Sequence, residues 1–274
     1  MSLSKEEIAR YSRQLILPEI GVAGQERLRR GSVLLVGAGG LGSPAALYLA
    51  AAGVGTLGVI DPESVAVSNL HRQILHASGD VGRAKILSAA ERLQAINPGL
   101  TVRAIQARLS ADNARAHVEA YDLVVDGSDN FSTRYLANDA CVLSGKPLVH
   151  GAAVAFGGQV MTILPRRSAC FRCVFPEPPR AGGIPSCQEA GVLGSVVGVV
   201  GTLMAHEAIK ILTGAGETLH DRLLVFEGRQ SRFREVPVRR DAACAVCGDA
   251  PTIRELTTID EPTCREEELW PGGK

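Results

Sequence analysis

The chain carries no net charge: 29 lysines and arginines balance 29 aspartates and glutamates. A general nucleic-acid or membrane-surface binder needs a basic excess, so neither class is expected. The first residues, MSLSKEEIARYSRQ, are polar with a helical pattern and do not read as a signal peptide. The longest apolar stretch, 190–205, is short of a membrane span and is interrupted by four glycines. There is no internal repeat, no low-complexity segment and no obvious Ser-His-Asp constellation; His71 and His150 read as structural. Seven cysteines, with two C-x-x-C pairs among them, suggest metal or thiol chemistry in a reducing cytoplasm more than a disulfide framework. What the chain does have is apolar residues, 46% of its 274, enough for one large domain or one and a half with a sizeable core.

The stretch 33–61, VLLVGAGGLGSPAALYLAAAGVGTLGVID, organises the rest. Val33 to Val36 reads as a buried strand. Gly37, Gly39, Gly40 and Gly42 follow in a pattern that fits G-x-G-x-x-G. An Ala/Leu-rich helix to about Ala52 and a second strand ending at Asp61 complete the unit. Strand, glycine turn, helix, strand and acid form the nucleotide-binding half of a doubly wound sheet. The glycines bring backbone close to phosphate, and the helix N-terminus presents free N–H groups and a positive dipole end. Asp61 is placed for ribose hydroxyls. Most such fingerprints bind NAD or FAD, so an NAD-dependent oxidoreductase is the rival reading.

Residues 4–17 read as one amphipathic helix capped by Ser4 with Glu7, and 21–31 as a glycine-bearing linker. After Asp61 comes an irregular polar segment with Ser68, Asn69, His71 and Arg72. Helices at 83–96, 111–120 and 131–143 alternate with strands at 101–106, 123–125 and 147–154, which implies a mainly parallel sheet with helices on both faces. Beyond Gly157 the pattern changes: a strand at 159–164, a Pro/Gly-rich loop at 176–186, a long helix at 189–212, and an antiparallel pair at 223–227 and 232–236. A polar tail closes the chain. The fold expected is therefore α/β, a doubly wound Rossmann-like mainly parallel sheet with a C-terminal antiparallel, zinc-braced extension. Its parts are an N-terminal helical arm (1–30), a nucleotide-binding Rossmann-like domain (31–156), a zinc-braced part with crossover loop and long helix (157–250), and the polar tail (251–274).

Loops that leave strand C-termini bind ligands in such sheets. Here they gather two cations, Arg72 and Lys85, beside two acids, Asp61 and Asp129. That set suits a triphosphate with Mg²⁺: cations on phosphates, one acid on the ribose, one on the metal. Taken singly, each has a bland reading. Lys85 would be a solvated charge, Asp126 or Asp129 a helix N-cap, Arg72 a surface ion pair.

Cys170, Cys173, Cys244 and Cys247 form two knuckles of a four-thiolate Zn²⁺ site with no open position, pinning distant segments together. A redox-active pair or unrelated core cysteines are the alternatives. Cys187 lies between the Pro/Gly loop and the long helix, where a helix N-terminus favours thiolate. An inert loop cysteine is the alternative there. Cys141 reads as core. Gly191, Gly194, Gly198 and Gly201 put a glycine stripe on the long helix, for close approach either to a second subunit or to the chain's own sheet.

GAGGLGSPAALYLAAAGVGTLGVID, VSNLHRQ, VGRAK, DGSDNFSTRYLAND, RYSRQLILPEIG, CFRCVFPEPP, PSCQEAGVLG and CAVCG together resemble the MoeB/ThiF adenylyltransferases, kin of the ubiquitin-activating enzymes. The likeness runs from about residue 5 to 255. It implies ATP-dependent adenylylation of the C-terminal glycine of a small ubiquitin-like sulfur carrier protein ending in Gly-Gly. Pyrophosphate leaves, and a thiocarboxylate for molybdenum cofactor, thiamine or a related pathway follows. By the resemblance, Gly40 lies against phosphates and Asp61 on ribose. Ser68, Asn69, Arg72 and Lys85 line the phosphate site, and Asp129 holds Mg²⁺ beside Asn130. Arg13 reaches the partner's ATP site in a homodimer, and Cys187 attacks the acyl-adenylate or carries sulfur. Longer family members carry a fused sulfur-donating domain that this chain is too short to include, so a separate sulfur donor protein is a further expected partner. A catalytically silent carrier-binding scaffold is the third reading.

Overall fold

The computed structural model describes residues 3–179 and 190–259. Its centre is β1 (Ser32–Val36), whose side chains alternate between two cores. Val33 and Leu35 pack on one face of the sheet with α4 (Gly42–Ala52), α5 (Lys85–Ile96) and the long α9 (Gly194–Thr213). Leu34 and Val36 pack on the other with α6 (Ala111–Glu119), α7 (Phe131–Ser144) and the short α8 (Phe171–Val174). A strand buried on both faces reads as a continuous apolar run, as VLLV does.

The remaining strands are β2 (Thr56–Ile60), β3 (Thr101–Ile105), β4 (Leu123–Asp126), β5 (Leu148–Val154), β6 (Gly157–Ile163), β7 (Arg222–Glu227) and β8 (Arg232–Pro237). All eight form one sheet in the order β3-β2-β1-β4-β5-β6-β7-β8. The first five are parallel, and β6, β7 and β8 add on antiparallel. The strand order reverses between β1 and β4, so the loops leaving their C-termini diverge and open a crevice there.

Several elements differ from the sequence expectation, for local reasons. The expected helix over 4–17 is two pieces, α1 (Lys5–Arg10) and α2 (Ser12–Leu15). They part at Tyr11, which is buried and whose hydroxyl accepts a hydrogen bond from Asn97 Nδ2 at 2.9 Å. The Ser4–Glu7 capping box is present. The segment expected as a linker is a helix, α3 (Gly21–Arg30), because Gln25 and Leu28 are buried and Gly24 fits closely against Ile20. The long helix starts later than expected, at Gly194. Val192 first bridges to Ala155, and Gly191 has φ +69°, outside helical geometry.

At 20 residues and mean hydropathy 1.5, α9 is long and apolar enough to cross a membrane, contrary to the reading of 190–205 alone. In this fold it packs along α4 and β5, with Val197, Val200, Met204 and Ala208 buried. Its glycine stripe divides. A Cβ at Gly194 would overlap the His71 carbonyl, and one at Gly201 the Leu41 carbonyl, so these two serve close approach within the chain. Gly198 faces open space.

Candidate functional site

The turn after β1 builds the floor of a cleft. Gly37 has φ +89°, a backbone region costly for any residue with a Cβ. A Cβ at Gly42 would overlap the Gly37 carbonyl, and one at Gly40 would lie 2.7 Å from Val197 Cγ1. Asp61, at the end of β2, braces this turn. Its Oδ2 accepts from the Ala38 N–H at 2.8 Å and its Oδ1 from the Glu63 N–H at 2.8 Å. From beneath, His76 Nε2 sits 3.0 Å from the Ala38 carbonyl and Nδ1 2.8 Å from Ser88 Oγ. The carbonyl can only accept, so Nε2 carries the proton and Nδ1 accepts from the hydroxyl. Burial lowers the pKa of His76, in keeping with this neutral tautomer.

The cleft has a volume of about 180 Å³ and is lined by Gly37, Gly39, Gly40, Asp61, Asn69, Arg72, Lys85, Asp129 and Asn130, all expected from sequence. Glu63, Gln73, Arg108 and Arg134 join them. Gly42 and Ser68 do not line it. Gly42 supports the turn from behind, and Ser68 is exposed, its carbonyl accepting from Arg72 at 3.0 Å. Arg13, on α2, is exposed and lines no part of it. Cys187 lies outside the described residues.

Lys85 is not a solvated surface charge. Its side chain is 3% exposed and its Nζ donates to Glu63 Oε2 at 2.6 Å. Asp126 is not a helix cap but the buried end of β4, receiving His150 Nδ1 on Oδ2 at 2.9 Å and the Ser128 N–H on Oδ1 at 3.0 Å. Burial pushes the Asp126 carboxyl up, but His150, the Ser128 N–H and the nearby Arg134 charge outweigh it and hold its pKa below the usual carboxylate value; burial lowers that of His150. Asn130 is the cap of α7, its Oδ1 accepting from the Thr133 N–H at 2.8 Å. Asp129, one residue earlier, is exposed and makes no hydrogen bond or ion pair among the described residues. Gln73 Oε1, in the cleft lining, is buried without a partner among the described residues.

Beside the cleft lies a larger, mostly apolar groove of about 680 Å³, walled by Phe131, Phe156, Phe171, Phe175, Val225 and Phe226. Asp129, Arg134 and Ala153 line both cavities, so the two meet at the start of α7. Arg134 is 8% exposed, and its Nε has no partner among the described residues.

The four expected cysteines converge. All four Sγ atoms lie within 4.8 Å of one another. The pairs Cys170–Cys244, Cys170–Cys173 and Cys173–Cys247 are 3.6, 3.9 and 3.3 Å apart. Four sulfurs about 2.3 Å from a tetrahedral Zn²⁺ would be spaced about 3.8 Å, so the set fits zinc. The Asp241 N–H points at Cys173 Sγ, 3.3 Å away, as expected for a thiolate. Around the cluster, Arg172 grips Asp139 of α7 through two hydrogen bonds of 2.8 and 2.7 Å and lies over the Tyr135 ring. Asn138 accepts from the Phe171 N–H at 2.9 Å. The cysteine cluster is thereby bolted to the helix that carries Arg134.

Fold and site together define a doubly wound α/β protein with a glycine turn at the floor of a polar cleft and a four-cysteine clamp. The ThiF family model matches residues 11–246. A sulfur carrier protein adenylyltransferase of Thermus thermophilus is 54% identical over 265 residues, covering 95% of this chain and 98% of that protein. The adenylyltransferase and sulfurtransferase MOCS3 of Anopheles gambiae is 49% identical over 94% of this chain, which spans only 59% of that protein. The chain belongs to the ThiF family of enzymes. Among solved structures, E. coli MccB with ATP superposes with a TM-score of 0.77 at 22% identity, over 87% of this chain and 73% of that one, a likeness of fold.

Proposed function

We propose that the protein transfers adenylate from ATP to the C-terminal glycine of a small ubiquitin-like sulfur carrier protein, releasing pyrophosphate and preparing the tail for thiocarboxylate formation in the reducing cytoplasm. The observation that carries this reading is the junction of two unlike cavities at Asp129 and Arg134. The polar cleft offers a glycine turn and cations suited to a triphosphate. The apolar groove suits an extended peptide tail. The Thermus thermophilus relative, named a sulfur carrier protein adenylyltransferase, supports the adenylylation of such a carrier.

A peptide C-terminus ionises near pH 3.5, so at neutral pH it attacks without a general base. One carboxylate oxygen forms a bond to the α-phosphorus as the bond to the pyrophosphate oxygen breaks. The barrier is repulsion between two anions and their orientation. Arg72 and Lys85 offset the phosphate charge, Gly40 leaves room for backbone N–H contact, and Asp61 and Asn69 hold ribose and phosphate. Asp129, exposed and unpaired at the mouth, has the chemistry to hold Mg²⁺, which when bound spreads charge over the phosphates. Exposed Arg13 fits a homodimer in which it reaches the neighbouring cleft.

The test is ATP–pyrophosphate exchange with a carrier ending in Gly-Gly. Exchange that depends on that carrier is expected. Carrier binding without exchange would replace the reading with a scaffold. NAD binding in place of ATP would replace it with an oxidoreductase.

A further inference from the structure

Arg134 stands out among the buried charges. Its side chain is more than nine-tenths enclosed, yet it makes no ion pair within 4 Å among the described residues. Its contacts are a long 3.4 Å hydrogen bond from an Nη to the Ser128 carbonyl and the Phe131 ring, 5.0 Å from the guanidinium carbon. Nε has no acceptor. Asp126 is the near acid, but both of its oxygens are already engaged, by His150 and by the Ser128 N–H. The other well-buried arginine among the described residues, Arg172, has a carboxylate in its fork, as a buried guanidinium requires.

A buried guanidinium left open in this way is a receptor for an anion that arrives from outside. Its position says which anion. Arg134 lines both cavities, where the apolar groove meets the cleft. The cleft side already has Arg72 and Lys85 for phosphates. On the groove side, Glu177, Glu227 and Arg229 line the walls, the Arg229 guanidinium lying over the Phe156 ring, and Arg134 is the cation at the place where the groove meets the cleft.

Building on the proposed adenylylation, we propose that Arg134 is the receptor for the carrier's terminal carboxylate. Its planar fork grips the two carboxylate oxygens and aims one of them at the α-phosphorus. The residue binds and orients the nucleophile; it does not hold the triphosphate. The Gly-Gly end suits the position, since a tail without side chains can bring its carboxylate down to a buried cation.

The experiment compares the carrier with a free C-terminal carboxylate against the same carrier ending in a carboxamide. Affinities are read by calorimetry with the α,β-methylene analogue of ATP saturating the cleft, so that Arg72 and Lys85 are occupied. Wild-type protein is expected to prefer the carboxylate by about tenfold or more, as a charge-assisted bidentate pair would give. Arg134→Met should bind both carriers alike, at the carboxamide level, and keep the analogue's affinity within about twofold. Arg134→Lys, which keeps the charge but not the fork, should retain part of the preference and serves if the methionine variant does not fold. A full preference retained in either variant overturns the assignment. So does loss of analogue binding with the preference intact, which would put Arg134 on the phosphates. Absence of a preference in wild-type protein that still shows carrier-dependent exchange overturns it as well. Absence of carrier binding and of exchange in wild-type protein would instead overturn the adenylylation reading on which it rests.

Discussion

Lys85 Nζ lies 2.6 Å from Glu63 Oε2, a pairing between a lysine that is 3% exposed and a glutamate that is 62% exposed. Both line the cleft. The site thus holds its buried cation with an internal anion, with which a triphosphate bound there would compete. Glu63→Gln removes that competitor and leaves the ammonium buried without its counter-charge. Without ligand, the variant should melt about 2–4 °C lower, the equivalent of ~1 kcal/mol for a chain of this size. With ATP its KM should fall severalfold and the ligand-induced rise in Tm should exceed that of wild type. Differential scanning fluorimetry with and without the ATP analogue reads both. A Tm unchanged without ligand would show that the pair carries no stability.

Asp129 gives a contrasting prediction. Its carboxylate is exposed and unpaired among the described residues, so removing it disturbs no packing and breaks no hydrogen bond. Asp129→Ala should abolish carrier-dependent pyrophosphate exchange while Tm stays within about 1 °C of wild type, as surface substitutions usually allow. Retained exchange would remove the metal-holding role.

The cysteine cluster makes a third prediction, about structure and not turnover. Cys247→Ser should reduce bound zinc from one ion per chain to a small fraction, read by atomic absorption. It should also lower Tm by several degrees, because the cluster shares a core with α7 through Phe171 and Asn138. Arg172→Met should keep the zinc and still lower Tm, since it leaves Asp139 buried without its partner. Zinc lost from the Arg172 variant would mean that the ion pair holds the cluster together and is not merely packed beside it.

The cleft's main residues were legible because local pattern and topology agree there. Gly37 to Gly42 stand directly between a strand and a helix, and Asp61 and Asp129 follow strand ends, so sequence position alone put them on one sheet edge. The cysteine cluster was legible because C-x-x-C spacing is kept in both pairs although Cys170 and Cys244 are 74 positions apart. Arg134 and Glu63 were not. A one-letter R in the second turn of a helix carries no sign of burial. Its importance comes from α7 being enclosed nearly all round, from Thr133 to Val142, a tertiary fact. The helix over 21–30 was read as a linker for a related reason. Its glycines lower intrinsic propensity, and only burial of Gln25 and Leu28 overrides them. The break at Tyr11 depends on Asn97, 86 residues away.

His76 supplies the last prediction, a dependence of stability on pH. It is buried beneath the glycine turn, its Nε2 proton given to the Ala38 carbonyl and its Nδ1 occupied by Ser88. Burial is the largest influence and lowers its pKa; Lys85 adds to this, while the Ala38 carbonyl, Asp80 and Asp61 act against it. His150 is lowered too, again chiefly by burial. In the unfolded chain both histidines titrate near 6.5. As pH falls below that value, the unfolded state takes up protons that the folded state still refuses. Stability from these groups is therefore complete above about pH 6.5 and is lost progressively below it, down towards the lowered folded-state values. Tm should be flat from pH 7 to 8 and fall between pH 6.5 and 5. His76→Gln keeps a donor for the Ala38 carbonyl and an acceptor for Ser88 but does not titrate, so it should make that fall shallower, the remainder belonging to His150 and, towards pH 5, to carboxylates whose pKa the fold lowers, such as Asp80 and Asp126. Melting curves across the series check it, and an identical slope in wild type and variant would mean that His76 takes up its proton without strain on the turn above it.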